Sequence, residues 1–137
     1  NAVGNERAKG RAYHTTSDEW LTWDRYYAAI ARGMDRPCPE LVHIPTDFLY
    51  RAMPKRAREC LQNFQFTSIY DNAAARRDLD FRPTVRMVDG AREIWRSLVE
   101  AGSVQKAEDA PYYDRIIRTW KELSATAAAT LSAYDAK

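Results

Sequence analysis

Apolar residues recur every three or four positions between residues 23 and 34, a spacing that predicts an amphipathic α-helix. Thr22 offers an N-cap before this segment, and Asp24 places a carboxylate in the first turn, where it complements the helix dipole. Gly33 predicts the end of the helix as a left-handed residue. The predicted buried face consists of Trp23, Tyr26, Tyr27, Ile30, Ala31 and Met34.

Four further segments carry helical patterns. The first of these helices opens at Thr46 and Asp47, is interrupted by Pro54 and resumes over residues 55–62. The second is short, is capped by Asp71 and ends at Leu79. The third has apolar residues at 91–99 and ends at Gly102, and the fourth is a long helix that begins at Pro111. The tail of the last helix is weakly apolar, so we expect it to fray or to dock on a partner.

Three short stretches combine β-forming residues with flanking turn residues, which is typical of strands. They span residues 12–16, 41–45 and 66–70, and the stretch at 41–45 suits a strand buried on both faces. A strand, a helix and a second strand within about 35 residues predict a right-handed crossover between parallel strands. We therefore expect an α/β fold in which helix predominates and the strands are short and parallel.

Composition and charge narrow the functional classes. The chain has 137 residues, 45% of them hydrophobic, which is enough for one domain with a core and excludes wholesale disorder. Its net charge of +2 is too balanced for a dedicated nucleic-acid or polybasic membrane protein, so neither partner is expected. No run of apolar residues approaches the length of about 18 that a membrane-spanning helix needs, so no spanning helix is predicted. Two distant cysteines without a CxxC pair favour a reducing, cytoplasmic setting.

Cofactor and metal motifs are weak in this chain. The five glycines are scattered, so neither a dinucleotide-binding fingerprint nor a P-loop is present. His14 and His43 fall in two predicted strands and would be neighbours if those strands pair, and Cys38 could then join them at a metal. No close ligand spacing supports that site, so we expect the histidines to form local hydrogen bonds and no metal to bind.

Aromatic and basic residues supply the remaining candidates for binding. The helical spacing of Trp23, Trp95 and Trp120 favours core positions, whereas Trp20 and Tyr70 stand outside the helices and could border a cleft. The basic clusters at 55–58 and 76–77 form either exposed helix faces or an anion-binding group, and the exposed face is the favoured interpretation. Adjacent carboxylates in loops, such as Asp18 with Glu19, favour solvated or capping roles.

Four segments resemble a known family in order and spacing. Residues 10–23 (GRAYHTTSDEWLTW) lead into the first helix; residues 41–45 (LVHIP) follow; residues 69–83 hold an IYDNA block with Arg-Arg, Leu and Pro; and residues 89–95 hold Asp-Gly-x-Arg before Trp95. Over about residues 8–100 these segments resemble the C-terminal part of extended short-chain dehydrogenases, the NAD(P)-dependent epimerase/dehydratase family.

The resemblance implies that this chain is one part of a larger protein. Residues 1–102 would be the substrate-binding region, 103–110 a linker and 111–137 a helical extension. In the family, the NAD(P)-binding loop and the catalytic Tyr-x-x-x-Lys lie upstream, and no Tyr-x-x-x-Lys occurs in this chain. The chain would therefore hold no cofactor and no catalytic residue, and its partners would be an N-terminal dinucleotide-binding domain and a small-molecule substrate. Its exposed apolar face could also mediate a homo-oligomer.

The same resemblance supplies the substrate-binding candidates. Thr67 and Ser68 match the family segment that approaches the sugar of a nucleotide-sugar substrate, and Tyr70 follows them. Asn63 and Phe64 replace a frequent acidic-basic pair, so Arg58 is the candidate for holding the substrate's diphosphate, since guanidinium binds phosphate in a bidentate manner. The alternative is a stand-alone, non-catalytic module for a small ligand or a protein, derived from such a domain.

Overall fold

The fold was analysed in a computed structural model, which describes residues 1–135. Within that range the chain forms α-helices joined by long irregular connections: α1 Trp23–Gly33, α2 Thr46–Ala52, α3 Ala73–Leu79, α4 Met87–Glu100 and α5 Tyr112–Asp135. Single helical turns occur at Glu6–Ala8, Cys60–Phe64 and Ala107–Asp109. The fold is therefore helical. None of the described helices has the length and apolarity needed to cross a membrane.

The predicted α/β fold with short parallel strands is wrong. Residues 12–16, 41–45 and 66–70 are irregular, and no strand pairing occurs within residues 1–135. The physical reason is that β-forming residues make a strand only when a neighbouring segment completes the ladder of backbone hydrogen bonds. Here the Thr16 carbonyl accepts a hydrogen bond from the Asn72 side chain at 2.8 Å, a side-chain partner in place of a strand.

Helix α1 begins where the sequence predicts. The Thr22 hydroxyl accepts a hydrogen bond from the Arg25 backbone N–H at 3.4 Å, which confirms the N-cap. The helix also ends at Gly33, but the predicted reason is wrong, because the left-handed residue that follows is Asp35, with φ of 54°. Gly33 itself is a buried residue of the helix.

The absence of a side chain at Gly33 lets α1 approach α4 closely. A Cβ atom built on Gly33 would lie 2.7 Å from the Ala91 Cβ and 2.7 Å from the Val88 carbonyl oxygen. Ala31 is the other buried residue of α1. Small residues therefore determine the α1–α4 contact, whereas Trp23 and Tyr27, predicted to be buried, stay about half exposed.

Helix α3 is joined to the N-terminal turn through Asp78. The Asn5 side chain donates to the Asp78 carbonyl oxygen at 2.9 Å, and the Tyr13 hydroxyl donates to the Asp78 carboxylate at 3.1 Å. The predicted end of this helix at Leu79 is confirmed, and Asp80 closes it with a left-handed φ of 48°.

Helix α5 is attached mainly through its first half. The rings of Trp120 and Phe48 lie 5.0 Å apart, the Lys121 ammonium contacts the Glu40 carboxylate at 2.7 Å, and the Arg56 guanidinium stacks 4.0 Å above the ring of Tyr112. The predicted long last helix is confirmed to Asp135, and residues 136–137 of the expected extension lie outside the described residues.

The core is small and the exposed surface is large. The buried apolar residues are Ala31, Ala57, Ala75 and Leu79, and within residues 1–135 no large side chain is fully buried. The accessible surface is 11528 Å², whereas a compact monomer of this mass exposes roughly 7,300 Å². The chain thus exposes about 1.6 times the surface of a compact monomer.

Candidate functional site

Two of the segments that carry the family resemblance meet in space. The ring of His14 stacks on the ring of Tyr70, with centroids 4.7 Å apart and planes inclined by 25°. Both side chains remain substantially exposed. We call the contact between residues 14–19 and residues 70–76 the junction.

Asn72 connects the two sides of the junction. Its side-chain amide donates to the Thr16 carbonyl at 2.8 Å and to the Asp18 carboxylate at 2.9 Å, and its oxygen accepts from Arg76 Nε at 2.9 Å. Arg76 also forms an ion pair with Asp18. The hydroxyl of Thr16 is buried beside this network and has no hydrogen-bond partner within residues 1–135.

The network determines the protonation of Asp18. Hydrogen bonds from Asn72 and then from Arg76 hold the pKa of the Asp18 carboxyl below its ordinary value, because both favour the charged form. Asp18 therefore stays a carboxylate at neutral pH and acts as an acceptor that fixes the junction, not as a proton donor.

Helix α4 is joined to the junction through Glu19. The Glu19 carboxylate accepts the backbone N–H of Met87, the first residue of α4, at 2.6 Å, and Arg86 approaches it at 3.8 Å. A carboxylate at a helix N-terminus satisfies a free N–H group and complements the helix dipole. The predicted capping role of these loop carboxylates is confirmed at Glu19.

The four predicted substrate-binding residues fall into two groups. Thr67, Ser68 and Tyr70 lie together in an exposed irregular segment that runs into the junction. Arg58 lies on an exposed helical turn, where its Nε donates to the Gln62 side chain at 3.2 Å. No hydrogen bond, ion pair or ring contact joins Arg58 to the other three among the described residues. Thr67, Ser68 and Tyr70 are therefore neighbours on the exposed surface, and Arg58 stands apart from them.

The two histidines have separate surroundings, because the strand pairing that would have made them neighbours does not occur within residues 1–135. His43 Nε2 lies 2.9 Å from the Asp24 carboxylate, whereas His14 lies at the junction. Cys38 is exposed. Within residues 1–135 no group of three His, Cys, Asp or Glu side chains is placed to hold a metal ion.

A polar cleft lies beside the N-terminal turn. It has a volume of about 470 Å³ and shares no residue with the 67–70 segment. Its acidic centre, Asp78, is only 9% exposed, and its pKa is lowered first by Arg77 and also by the hydroxyl of Tyr13. The lining side chains are Glu6, Arg7, Lys9, Arg11, Arg77 and Asp78.

Sequence reasoning missed the residue that organises the junction. Asn72 was noted only as part of the IYDNA block, yet it contacts three partners on two segments. Its position before α3 offered a sequence signal, since Asn favours turns and helix starts. No local sequence signal indicated its contacts with Asp18 and Thr16, which are 54 and 56 residues away.

The arrangement of exposed groups suits binding. Two hydroxyl groups and a phenol lie along residues 67–70, and the His14 imidazole stacks on that phenol, so these groups can hydrogen-bond a polar ligand and support a flat one. Comparison with family models, with curated proteins and with solved structures finds no match to this chain.

Proposed function

We propose that this chain forms the substrate-binding C-terminal part of an NAD(P)-dependent epimerase/dehydratase-like oxidoreductase that acts on a sugar-like or nucleotide-sugar substrate. NAD(P) and the Tyr/Lys pair that performs the chemistry belong to a separate dinucleotide-binding domain. The chain itself supplies hydroxyl and aromatic groups that select and hold the substrate.

The observation that carries this proposal is the junction. Residues 10–23 and 69–83 both resemble the family and contact each other through Asn72. Glu19 of the first segment also accepts the backbone N–H of Met87, at the start of helix α4, which contains the third resembling segment, residues 89–95. Segments that form one binding site must lie close together in the folded chain. The exposed stretch with Thr67, Ser68 and Tyr70 leads directly into this network.

The large exposed surface supports the need for a second domain. A core of three alanines and one leucine stabilises little, since burying a large apolar side chain contributes about 1.5–3 kcal/mol and an alanine less. Trp20, Phe66 and Ile69 are 68%, 62% and 55% exposed. A dinucleotide-binding domain packed on these side chains would remove them from water and close the substrate pocket.

An NMR titration with UDP-glucose tests the proposal. We expect shifts concentrated at Thr67, Ser68 and Tyr70 and weak binding, because one wall of the pocket lies on the other domain. Ser68→Ala should weaken the binding by about three- to tenfold, the value of one hydrogen bond. Ser103→Ala is the matched control, because its hydroxyl bonds to the nearby Ala101 carbonyl. Shifts scattered over the chain and insensitive to Ser68 would contradict the proposal.

The second candidate function is a stand-alone interaction module. It is favoured by the aromatic cluster around Trp23, which touches Tyr26, Tyr27 and Phe64 with ring centroids 5.5, 6.3 and 5.5 Å away. Half-exposed Trp and Tyr side chains are typical of protein-binding hot spots. This alternative predicts that Trp23→Ala abolishes capture of a protein partner, whereas UDP-glucose leaves the spectrum unchanged.

A further inference from the structure

The polar cleft beside the N-terminal turn is not used by the proposed function, and it carries an excess of positive charge. Two carboxylates, those of Glu6 and Asp78, line it together with four basic side chains. The cleft therefore has a surplus of two positive charges when both carboxylates are ionised. The basic side chains are Arg7, Lys9, Arg11 and Arg77.

The two carboxylates leave part of this positive charge unpaired. Arg77 contacts the Asp78 carboxylate through Nε at 2.9 Å and through Nη2 at 3.1 Å, and Arg11 approaches the same carboxylate at 3.8 Å. The Arg7 side chain has no hydrogen bond or ion pair among residues 1–135. Two guanidinium groups thus share one carboxylate and a third has none, so the cleft can accept a further anion.

Hydrogen bonds join the two sides of the cleft before any ligand binds. The Asn5 side chain donates to the Asp78 carbonyl oxygen at 2.9 Å and accepts the Arg7 backbone N–H at 2.9 Å. The Tyr13 hydroxyl lies 2.9 Å from the Arg7 carbonyl oxygen and 3.1 Å from the Asp78 carboxylate. A ligand therefore meets basic groups that the fold already holds close together, which lowers the cost of ordering them on binding.

The size and the chemistry of the cleft indicate the class of ligand. Its volume of about 470 Å³ lies in the range of about 300–1,000 Å³ that is typical of sites for small molecules. All six lining side chains are charged, so an apolar ligand would gain little there. A phosphate monoester carries about −1.5 to −2 charges at pH 7, which matches the surplus of two positive charges. Guanidinium groups also bind phosphate oxygens in a bidentate manner.

We propose that this cleft binds the phosphate group of a small phosphate monoester. Arg7, Lys9 and Arg11 contact the phosphate from the N-terminal segment, and Arg77 contacts it from α3. Asp78 holds the Arg77 guanidinium in position, since it accepts two hydrogen bonds from it. The cleft shares no lining residue with the 67–70 segment, so this site is separate from the proposed substrate site.

An NMR titration of the full chain with glycerol phosphate tests the proposal. We expect saturable shifts at residues 6–11 and 77–78. Arg7→Gln should weaken the binding by about three- to tenfold, the value of one hydrogen bond to a charged group, and it removes no side-chain contact among the described residues. Arg96→Gln is the matched control, because it removes the same charge from an exposed position of α4 outside the cleft.

A variant of the opposite sign makes the test sharper. The Glu6 carboxylate lies 2.6 Å from the Lys9 ammonium and competes with the ligand for it. Glu6→Gln should therefore tighten the binding of glycerol phosphate. Unchanged or weaker binding in Glu6→Gln, or equal effects of Arg7→Gln and Arg96→Gln, would overturn the proposal. The absence of saturable shifts at the cleft up to about 10 mM ligand would also overturn it.

Two further ligands test the assignment to a phosphate monoester. Dimethyl phosphate, a diester with a single negative charge, should bind several-fold more weakly than glycerol phosphate, and inorganic phosphate should bind no more tightly than glycerol phosphate. Equal binding of the diester, or tighter binding of the free ion, would contradict the assignment. The shifts at residues 67–70 with UDP-glucose are a separate measurement, so either proposal can fail without the other.

Discussion

Gly33 of α1 lies against Ala91 of α4 so closely that a methyl group on Gly33 would come within 2.7 Å of the Ala91 Cβ. The same methyl group would press on the Val88 carbonyl oxygen at 2.7 Å, and that oxygen cannot move without moving α4. The α1–α4 crossing therefore leaves no room for a side chain at residue 33.

Gly33→Ala should lower the free energy of unfolding by up to about 2 kcal/mol, because an overpacking cost of about 1–3 kcal/mol opposes the gain of about 1 kcal/mol in helix propensity. Gly90→Ala is the matched control, since its Cβ would meet only Val85 Cγ1, at 3.4 Å. That variant should be neutral or slightly more stable. Urea unfolding of both variants provides the measurement, and equal effects would contradict the close crossing.

Tyr13→Phe should destabilise the protein, because it removes the hydroxyl that lies within hydrogen-bond distance of both the Asp78 carboxylate of α3 and the Arg7 carbonyl of the N-terminal turn. Burial and the Asp78 contact raise the pKa of the Tyr13 hydroxyl above its ordinary value of 10.0. This contribution to stability is therefore present below pH 10 and is lost as the pH rises through the folded-state pKa. Tyr50→Phe, at an exposed position, should show neither effect.

The variant Asp18→Asn should lose less stability in acid than the unsubstituted protein does. The folded-state pKa of Asp18 lies below its ordinary value of 3.8, because Asn72 and Arg76 favour the carboxylate. Its contribution is therefore present above about pH 4 and is lost as the pH falls through the folded-state pKa. The free energy of unfolding, measured from pH 6 to pH 2, should fall less steeply for Asp18→Asn than for the unsubstituted protein. In addition, Asn72→Ala should raise the Asp18 pKa, as followed by carboxyl NMR.

Trp120→Ala should release the first half of α5 more effectively than Lys121→Ala. An aromatic contact such as Trp120–Phe48 contributes about 0.5–1.5 kcal/mol beyond the apolar area it buries, whereas an exposed ion pair contributes about 0.2–1 kcal/mol. The Lys121–Glu40 pair is largely exposed. Amide hydrogen exchange in residues 112–123 should therefore accelerate much more in Trp120→Ala. The reverse order would show that the ion pair holds the helix.

Local signals predicted the helices well. Thr22 marks the start of α1 and Leu79 the end of α3 because a cap or an apolar period acts within a few residues. Gly102 likewise follows α4 with a left-handed φ of 61°. Features of this kind depend on the nearest turn of chain and little on the remainder of the fold.

Long-range features were predicted poorly. Val42 and Ile44 favour a strand, but a strand depends on a neighbour that the local sequence does not reveal. The role of Gly33 was misjudged because its close neighbour, Ala91, is 58 positions away. At the candidate site, Thr67 and Ser68 came from the resemblance, whereas the stacking of His14 on Tyr70 depends on the fold alone.

The most direct test of the proposed function compares two ligands on the same chain. Quenching of tryptophan fluorescence, measured with UDP-glucose and with NADH, reports both affinities. The proposal predicts saturable binding of UDP-glucose that Ser68→Ala weakens, with no measurable binding of NADH, since the chain contains no dinucleotide fingerprint. Tight binding of NADH, with no response to UDP-glucose, would contradict the assignment of this chain to substrate binding.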